Sequence, residues 1–455
     1  MMSRPVSVRT ACRAAVALCV AAIVAAVAVP APCGAERAGI GWNEGIAART
    51  GKAATIAALA AMYDYRSCVE CHRKIHDDWQ KSAHSSSVFG AGRTADAFRS
   101  TVVDGLMKWP YSGVKKIEDV KVDHLMACAK CHLPQLEDAT DDVAREIVGV
   151  IIDWQKAATG NDQAAAQAAA RKLDGLNIGC LICHNRNAVI HKWADGYPKA
   201  GEVYGTREGA AHAQGLSPLR RSPVMGESIM CGQCHGLGPN LDLENPTQCS
   251  TVYGSYLYSY KAHGGTASCQ DCHMRQHNLG HDMTANHNPG VARESLDVST
   301  ETHGFFWRDD RQYLPRLIVD VTMVNKAGHS IPDSLSPDHR LVLSVTARTR
   351  DGEQVFSQTR TYMPIPQRLG RGNKMARGAY EKTGIVEDTA LLPLRPVREK
   401  FDIVMNPVEA GKDAGAKLAT EVTVDVMIRL HAPRNASAEG VTWYQYSKNV
   451  KIEEM

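Results

Sequence analysis

The chain has 455 residues, of which 44% are hydrophobic and 22% are charged, the balance of an ordinary soluble globular protein. Its 52 basic and 49 acidic side chains give a formal net charge of +3. This near balance gives no indication of a nucleic-acid partner, which would favour a strongly basic chain.

The first 35 residues have the pattern of a secretory signal peptide. Three arginines precede an apolar, alanine-rich run from Ala14 to about Val29, and small residues follow this run. We expect cleavage after Ala28 or Ala35 and a mature protein in the periplasm, with an outer-membrane-associated or extracellular location as the alternative. The three arginines are Arg4, Arg9 and Arg13.

Two other interpretations of this segment are weaker. An uncleaved membrane anchor needs roughly 20 apolar residues, whereas this run has about 16. A lipid anchor on Cys33 is disfavoured because Pro32 precedes it. Removal of the segment would leave 49 basic and 49 acidic side chains, and we predict no transmembrane segment in this mature chain.

Ten of the 14 cysteines form five pairs of identical spacing, and a histidine follows each pair. Two thiols three positions apart can bond the two vinyl groups of one haem, and the next residue then lies under the iron as proximal ligand. A zinc site, a redox dithiol or a disulfide would not require that histidine. The sequence therefore predicts five covalently attached c-type haems. The motifs, numbered in chain order, are motif 1 (Cys68, Cys71, His72), motif 2 (Cys128, Cys131, His132), motif 3 (Cys180, Cys183, His184), motif 4 (Cys231, Cys234, His235) and motif 5 (Cys269, Cys272, His273).

The intervals between motifs are too short for five separate cytochrome domains. We predict one mainly α-helical and irregular domain over residues 36–308, packed around five haems that replace much of a side-chain core. Asp141–Ala157 is predicted to be an amphipathic helix, and the alanine-rich stretch 159–171 a solvent-facing one.

Haem propionates would make the mature protein acidic, which favours a basic partner. The remaining Cys249 is predicted to be a buried free thiol.

Each iron needs a sixth ligand to be a low-spin electron carrier, and histidine or methionine can supply it. Thirteen histidines lie outside the five motifs. By their positions relative to the motifs, we select five as distal ligands and keep three in reserve. The five candidates are His84, His124, His263, His303 and His329, and the reserves are His191, His281 and His287.

Cysteine motifs stop after about residue 308, and alternating apolar and polar residues begin. This pattern predicts several short strands in an all-β, sandwich-like C-terminal domain over residues 309–455. The stretch 373–387 is predicted to be a loop. The predicted strands are Arg316–Asn325, Arg340–Thr349, Gln354–Tyr362, Thr420–His431 and Trp443–Ile452, with a turn at Asp351-Gly352.

Three segments resemble a family of exported multihaem cytochromes that includes hydroxylamine-oxidoreductase-related electron carriers and extracellular filament cytochromes. They are Trp79–His84, Cys269–Met274 and Asn325–Pro332. The resemblance implies haems with two histidine ligands, stacked in parallel and T-shaped pairs. It also implies that His329, in a Gly-His-x-x-Pro loop, is an axial ligand donated by the β-domain.

Two functions from different classes follow as hypotheses. The first is electron transfer between redox proteins, as part of anaerobic respiration, with no chemistry of its own; a homo-oligomer, filament or membrane-associated complex is compatible with it. The alternative is reduction of a small nitrogen or sulfur oxyanion at one open haem, with Arg220, Arg221, Tyr253 and His212 as candidate helpers. Ammonia-forming nitrite reductases, another five-haem family, mostly carry a Cys-x-x-Cys-Lys site and long C-terminal helices, and this chain has neither.

Overall fold

The fold is given by a computed structural model. It describes residues 51–90, 94–190, 196–198, 202–209, 219–236, 252–284, 289–308, 310–333, 339–368, 382–409, 420–432 and 439–454. The predicted signal peptide and the residues His191, His212, Cys249 and His287 lie outside the described residues.

Up to residue 294 the described chain consists of short helices and turns, with one small parallel pair of strands, β1 and β2. Side-chain N-caps begin α1 and α7: Thr55 accepts a hydrogen bond from Ala58 N (3.0 Å) before α1, and Asp162 accepts one from Ala165 N (3.0 Å) before α7. The helices are α1 Ile56–Met62, α2 Arg66–Cys71, α3 Arg73–Lys81, α4 Thr94–Arg99, α5 Val122–His132, α6 Asp141–Thr159, α7 Gln163–Leu173, α8 Ile229–Gly232, α9 Val252–Ser255 and α10 Pro289–Glu294; the strands are β1 Val203–Gly205 and β2 Leu219–Arg221.

The predicted amphipathic helix is confirmed as α6, which buries Val143, Ile147, Val150 and Ile151 in the apolar core of the helical part. The prediction for the next helix is wrong in one respect. One face of α7 is buried rather than solvent-facing, because Ala166, Ala169 and Leu173 recur at helical spacing. Small side chains allow α7 to pack closely against α6.

From residue 296 onward the described chain is a sheet protein. Apolar and polar residues alternate along its central strands, so one face of each is buried; β11, for example, alternates between buried and half-buried residues over its whole length. The strands are β3 Leu296–Arg308, β4 Gln312–Asn325, β5 Arg340–Thr349, β6 Gln354–Tyr362, β7 Pro364–Arg368, β8 Lys382–Asp388, β9 Pro396–Val404, β10 Val408–Glu409, β11 Glu421–His431 and β12 Val441–Glu454.

Eight of these strands form one hydrogen-bonded sheet in the order β10-β4-β3-β12-β11-β5-β6, with β9 also paired to β4. The pairs are antiparallel except β12 with β3. Buried side chains of β4, β5, β9 and β11 share a single core, so the sheet curls over its own interior. Its two edges nearly meet, since the Tyr362 hydroxyl on β6 donates to Glu399 Oε1 on β9 (2.8 Å). The all-β C-terminal part is therefore confirmed, as one curled sheet where two packed sheets were predicted.

The five predicted strands are all present, and the Asp351-Gly352 turn is confirmed by the left-handed backbone of Gly352 (φ 86°). Two differences stand out. The sheet begins with β3 at Leu296, before the boundary predicted at residue 308. Within the predicted loop 373–387, the residues from Lys382 onward form β8, which pairs with β7. Both strands have weak alternation, and pairing with neighbouring strands holds them in place, β3 with β4 and β8 with β7.

The helical and sheet parts are in direct contact within one compact unit, Arg49–Met455. The Ser330 backbone N–H donates to Ser255 Oγ at 3.0 Å, and Ser259 Oγ donates to the carbonyl of Pro393 at 3.4 Å. No helix within the described stretches is both long enough and apolar enough to cross a membrane.

Candidate functional site

All five cysteine motifs lie on helical turns. Motif 1 ends α2, motif 2 ends α5 and motif 4 includes the end of α8, while motifs 3 and 5 lie at the turns Ile182–Arg186 and Asp271–Arg275. In motifs 1 and 4, the histidine N–H donates to the carbonyl of the first cysteine, His72 to Cys68 at 2.8 Å and His235 to Cys231 at 2.9 Å. A helical turn places residues three apart on the same face, so both thiols of a motif point the same way. All ten cysteines are free thiols.

The structure brings three of the motif histidines opposite a second histidine. The ring centres of His184 and His281 are 6.2 Å apart, with 23° between the ring planes. His273 and His329 have the same separation and angle. The ring centres of His235, in motif 4, and His84 are 6.1 Å apart, and the two ring planes are nearly perpendicular, at 76°.

This spacing matches two imidazoles on opposite sides of one metal ion. An imidazole nitrogen binds a transition metal at about 2 Å, and the ring centre lies roughly 1 Å further back, which puts the two ring centres about 6 Å apart. The three pairs therefore fit haem iron, which takes its two axial ligands from the protein.

In three of these rings the hydrogen bond is made by Nδ1, which leaves Nε2 available to bind a metal. Nδ1 of His184 lies 2.8 Å from the carbonyl oxygen of Tyr204, and Nδ1 of His273 lies 2.9 Å from that of Met283. His329 Nδ1 is 3.0 Å from the carbonyl oxygen of Ser330. A carbonyl only accepts, so each Nδ1 must carry the proton, and the neutral ring then keeps its Nε2 lone pair for a metal.

Burial keeps most of these imidazoles neutral. Desolvation by the surrounding protein lowers the pKa of His84 to about 4, with a smaller contribution from nearby His235. The same cause is the largest in lowering the pKa of the other histidines concerned. These are His184, His235, His273 and His281. A neutral imidazole is the form that binds metals.

The remaining three predicted distal ligands have other surroundings. His124 caps the start of α5, where its Nδ1 accepts a hydrogen bond from Lys121 N at 3.1 Å. His263 is exposed, with Nδ1 2.7 Å from the Ser259 carbonyl oxygen and Nε2 3.4 Å from Arg395 Nε. His303 is exposed on β3. The described ring contacts place none of the three opposite a motif histidine.

His281, which the sequence left in reserve, takes a place opposite motif 3. Spacing along the chain associates it with motif 5, eight residues upstream, and no local signal connects it to His184. In motif 2, Thr94 Oγ1 lies 3.4 Å from Nδ1 of His132.

Motif 4 contacts three other motifs. The carbonyl oxygen of Gln233, inside motif 4, is 3.8 Å from Cys131 Sγ of motif 2, and its side-chain amide donates to the Asn187 carbonyl, just after motif 3, at 2.8 Å. On its other side, Ser228 Oγ accepts from the N–H of Cys269 in motif 5 at 3.1 Å. Motifs 1 and 3 meet through Trp79, whose Nε1 donates to the Ile178 carbonyl at 3.0 Å.

Two of the candidate helpers of the reductase hypothesis, Arg220 and Tyr253, are engaged in the fold. Arg220 Nε forms an ion pair with Glu202 at 2.7 Å. Tyr253 is buried, stacks on Tyr256 and covers Gly232, where a Cβ atom would lie 2.5 Å from the Tyr253 ring. Arg221 is exposed on β2. Across the described residues, no three or more histidine, cysteine or acidic side chains converge on a point that could hold a bare metal ion.

No family model matches the chain, and no curated protein matches it. Among solved structures, the chain is similar to a penta-heme cytochrome c552 from Thermochromatium tepidum, with 17% identity over 84% of this chain and 97% of that one, at a TM-score of 0.49. A β-glucuronidase of Bacteroides uniformis matches 36% of this chain and 14% of its own, with 15% identity and a TM-score of 0.16. At these TM-scores neither likeness bears on family or function.

Proposed function

We propose that this chain is an exported electron-transfer protein that carries five c-type haems on its five Cys-x-x-Cys-His motifs. The observation that carries the proposal is the separation of 6.1–6.2 Å between three motif histidines and three histidines from elsewhere in the chain. Covalently attached haem supplies a one-electron couple at its iron. The chain's own residues anchor it, ligate it and set its surroundings.

The proposed axial pairs are His235 with His84, His184 with His281, and His273 with His329. This set keeps two of the ligands predicted from the sequence and uses His281 in addition to them. Two histidine ligands hold iron low-spin and closed to substrates. The set therefore favours electron transfer over catalysis at these three centres.

The contacts between motifs suggest how the centres are connected. Motif 4 and the residues just before it contact motif 2, motif 5 and the residues just after motif 3, and the segment after motif 1 contacts the segment before motif 3. We infer a branched arrangement in which motif 4 is the junction and motif 5 is the branch that ends at the sheet, through His329. Electrons entering at motif 1 would have two exits, one at motif 2 and one at the sheet.

The location and partners are part of the same proposal. The N-terminal pattern supports export to the periplasm, or beyond it to the outer membrane or cell exterior, and c-type haem is attached outside the cytoplasm. Redox proteins are the expected donors and acceptors. Haem propionates add negative charge to a mature chain that is otherwise balanced, which favours a partner with a basic docking surface.

The test is an EPR spectrum of the oxidised holoprotein, recorded with and without nitrite or hydroxylamine, after the haem content has been measured. We expect five haems per chain and only low-spin signals, which the additives leave unchanged. Fewer covalently bound haems would contradict the proposed cofactor content. A high-spin signal that shifts with nitrite would instead identify an open haem and support the oxyanion reductase.

A further inference from the structure

A buried group of charged side chains lies where the segments around motifs 1, 2 and 3 meet. Arg186, two residues after His184, is 7% exposed; it forms ion pairs with Glu137 and with Asp138, whose Oδ2 is 3.5 Å from its Nη1. Both acids lie in the turn that follows motif 2. Tyr63, which ends α1 before motif 1, donates its hydroxyl hydrogen to Asp138 and lies 3.4 Å from Arg186 Nη1.

The charge states of this group follow from its chemistry. A guanidinium remains protonated in proteins. Burial is the largest cause that raises the pKa of Tyr63, so its phenol stays neutral and serves as a donor. Two carboxylates thus share one guanidinium, and their side chains are each only 11% exposed.

Stability alone does not explain such a group. Removing charges from water costs free energy that mutual attraction often fails to recover, and well-packed apolar side chains often stabilise a buried site as well or better. The charge of the group is therefore the property to explain. The group lies beside two motifs in the sequence, since Glu137 comes five residues after His132 and Arg186 two residues after His184, so its charge can act on the centres of motifs 2 and 3.

Resting on the proposed function, we propose that the buried group of Glu137, Asp138 and Arg186, whose two carboxylates exceed its one guanidinium by one negative charge, lowers the reduction potentials of the centres on motifs 2 and 3. Reduction adds one electron to a centre, and a nearby fixed negative charge opposes that addition. Inside the protein this repulsion is only weakly screened by solvent and salt. The group would therefore make these two centres weaker electron acceptors than haems with the same ligands and no negative charge nearby.

The test is a spectroelectrochemical titration of the holoprotein and of its Glu137→Gln variant. Glutamine keeps the size of the side chain and a hydrogen-bonding oxygen but removes one buried negative charge. We expect the reduction potentials of two of the five haems to rise. At a fixed potential, the ratio of reduced to oxidised haem at these two centres should increase three- to tenfold, equal to about 30–60 mV for one electron. Asp138→Asn is a second variant with the same expected sign, in case the first does not fold.

Two control variants separate charge from structure. Glu146→Gln makes the same charge change on the exposed face of α6. It should change the ratio of reduced to oxidised haem by less than twofold at every centre. Arg186→Lys keeps the positive charge but loses the planar guanidinium and its paired hydrogen bonds. It should therefore lower thermal stability and leave the reduction potentials unchanged.

Unchanged potentials in fully haem-loaded Glu137→Gln and Asp138→Asn proteins would overturn the inference. So would equal shifts in Arg186→Lys, since packing and not charge would then be responsible. A wild-type protein without covalent haem would instead refute the proposed function, and haem staining distinguishes that case before any titration.

Discussion

His84, His281 and His329 come from three distant parts of the chain, and what they share is their environment and not their local sequence. Each meets a motif histidine ring at 6.1–6.2 Å. Burial holds the imidazoles of His84 and His281 neutral. Exposed His303 has neither feature. At this scale the sequence predicts every cysteine and proximal histidine, because their spacing is local, but distal ligands depend on folding across long intervals.

The assignment of His281 gives a direct residue-level prediction. In His281→Ala, the motif 3 iron loses its proposed second histidine, so one of the five low-spin EPR signals should become high-spin. The matched control is His303→Ala, which removes an exposed histidine from β3. If His303→Ala produces the high-spin signal and His281→Ala does not, the ligand set proposed here is wrong.

Individual helices and strands were predictable where a periodic pattern is long. Helix α6 and the strands β4, β5, β6 and β11 follow directly from alternation or helical spacing. Strand β8 was missed because its seven residues, KTGIVED, show little alternation and pair only with β7. A strand held by pairing with one other strand, and not by a buried face, leaves no periodic signal in the sequence.

Two glycines in helices allow a prediction at the scale of elements. In Gly232→Ala, the new methyl group would lie 2.5 Å from the Tyr253 ring, so α8 or the ring must move, and we expect a loss of about 1–3 kcal/mol. In Gly149→Ala the methyl enters open space in the middle of α6, and we expect a gain of about 0.5–1 kcal/mol. Thermal unfolding of both variants measures this. Equal effects of the two substitutions would contradict the packing described for motif 4.

The whole molecule depends on the junction between its helical and sheet parts. Asn325, fully buried at the end of β4, fixes the loop that carries His329 and Ser330 to this junction. Its amide donates to the carbonyls of His329 (2.8 Å) and Leu391 (2.7 Å), and its oxygen accepts from Ala327 N (2.8 Å). The resemblance of Asn325–Pro332 to a cytochrome loop drew attention to His329, but the role of Asn325 required the folded structure.

Asn325→Ala should therefore affect both stability and the motif 5 centre. Each buried polar group left unsatisfied costs about 1–3 kcal/mol, and a loosened His329 should broaden one low-spin EPR signal. Asn449→Ala is the control, since Asn449 makes an exposed hydrogen bond with Thr423 at 2.8 Å on the same sheet. Equal losses in the two variants, with an unchanged spectrum in both, would show that Asn325 does not position the ligand.

The three histidine pairs also have a consequence for the connectivity of the chain. His84 pairs with His235, His184 with His281 and His273 with His329, so the three intervals overlap along the sequence. With iron between each pair, each interval would become a closed loop that shares a stretch of chain with the next loop. One cut in the backbone anywhere between residues 84 and 329 would then leave two pieces still tethered through a metal. The mature protein would behave toward proteases as a cross-linked network, although it contains no disulfide among its ten motif cysteines.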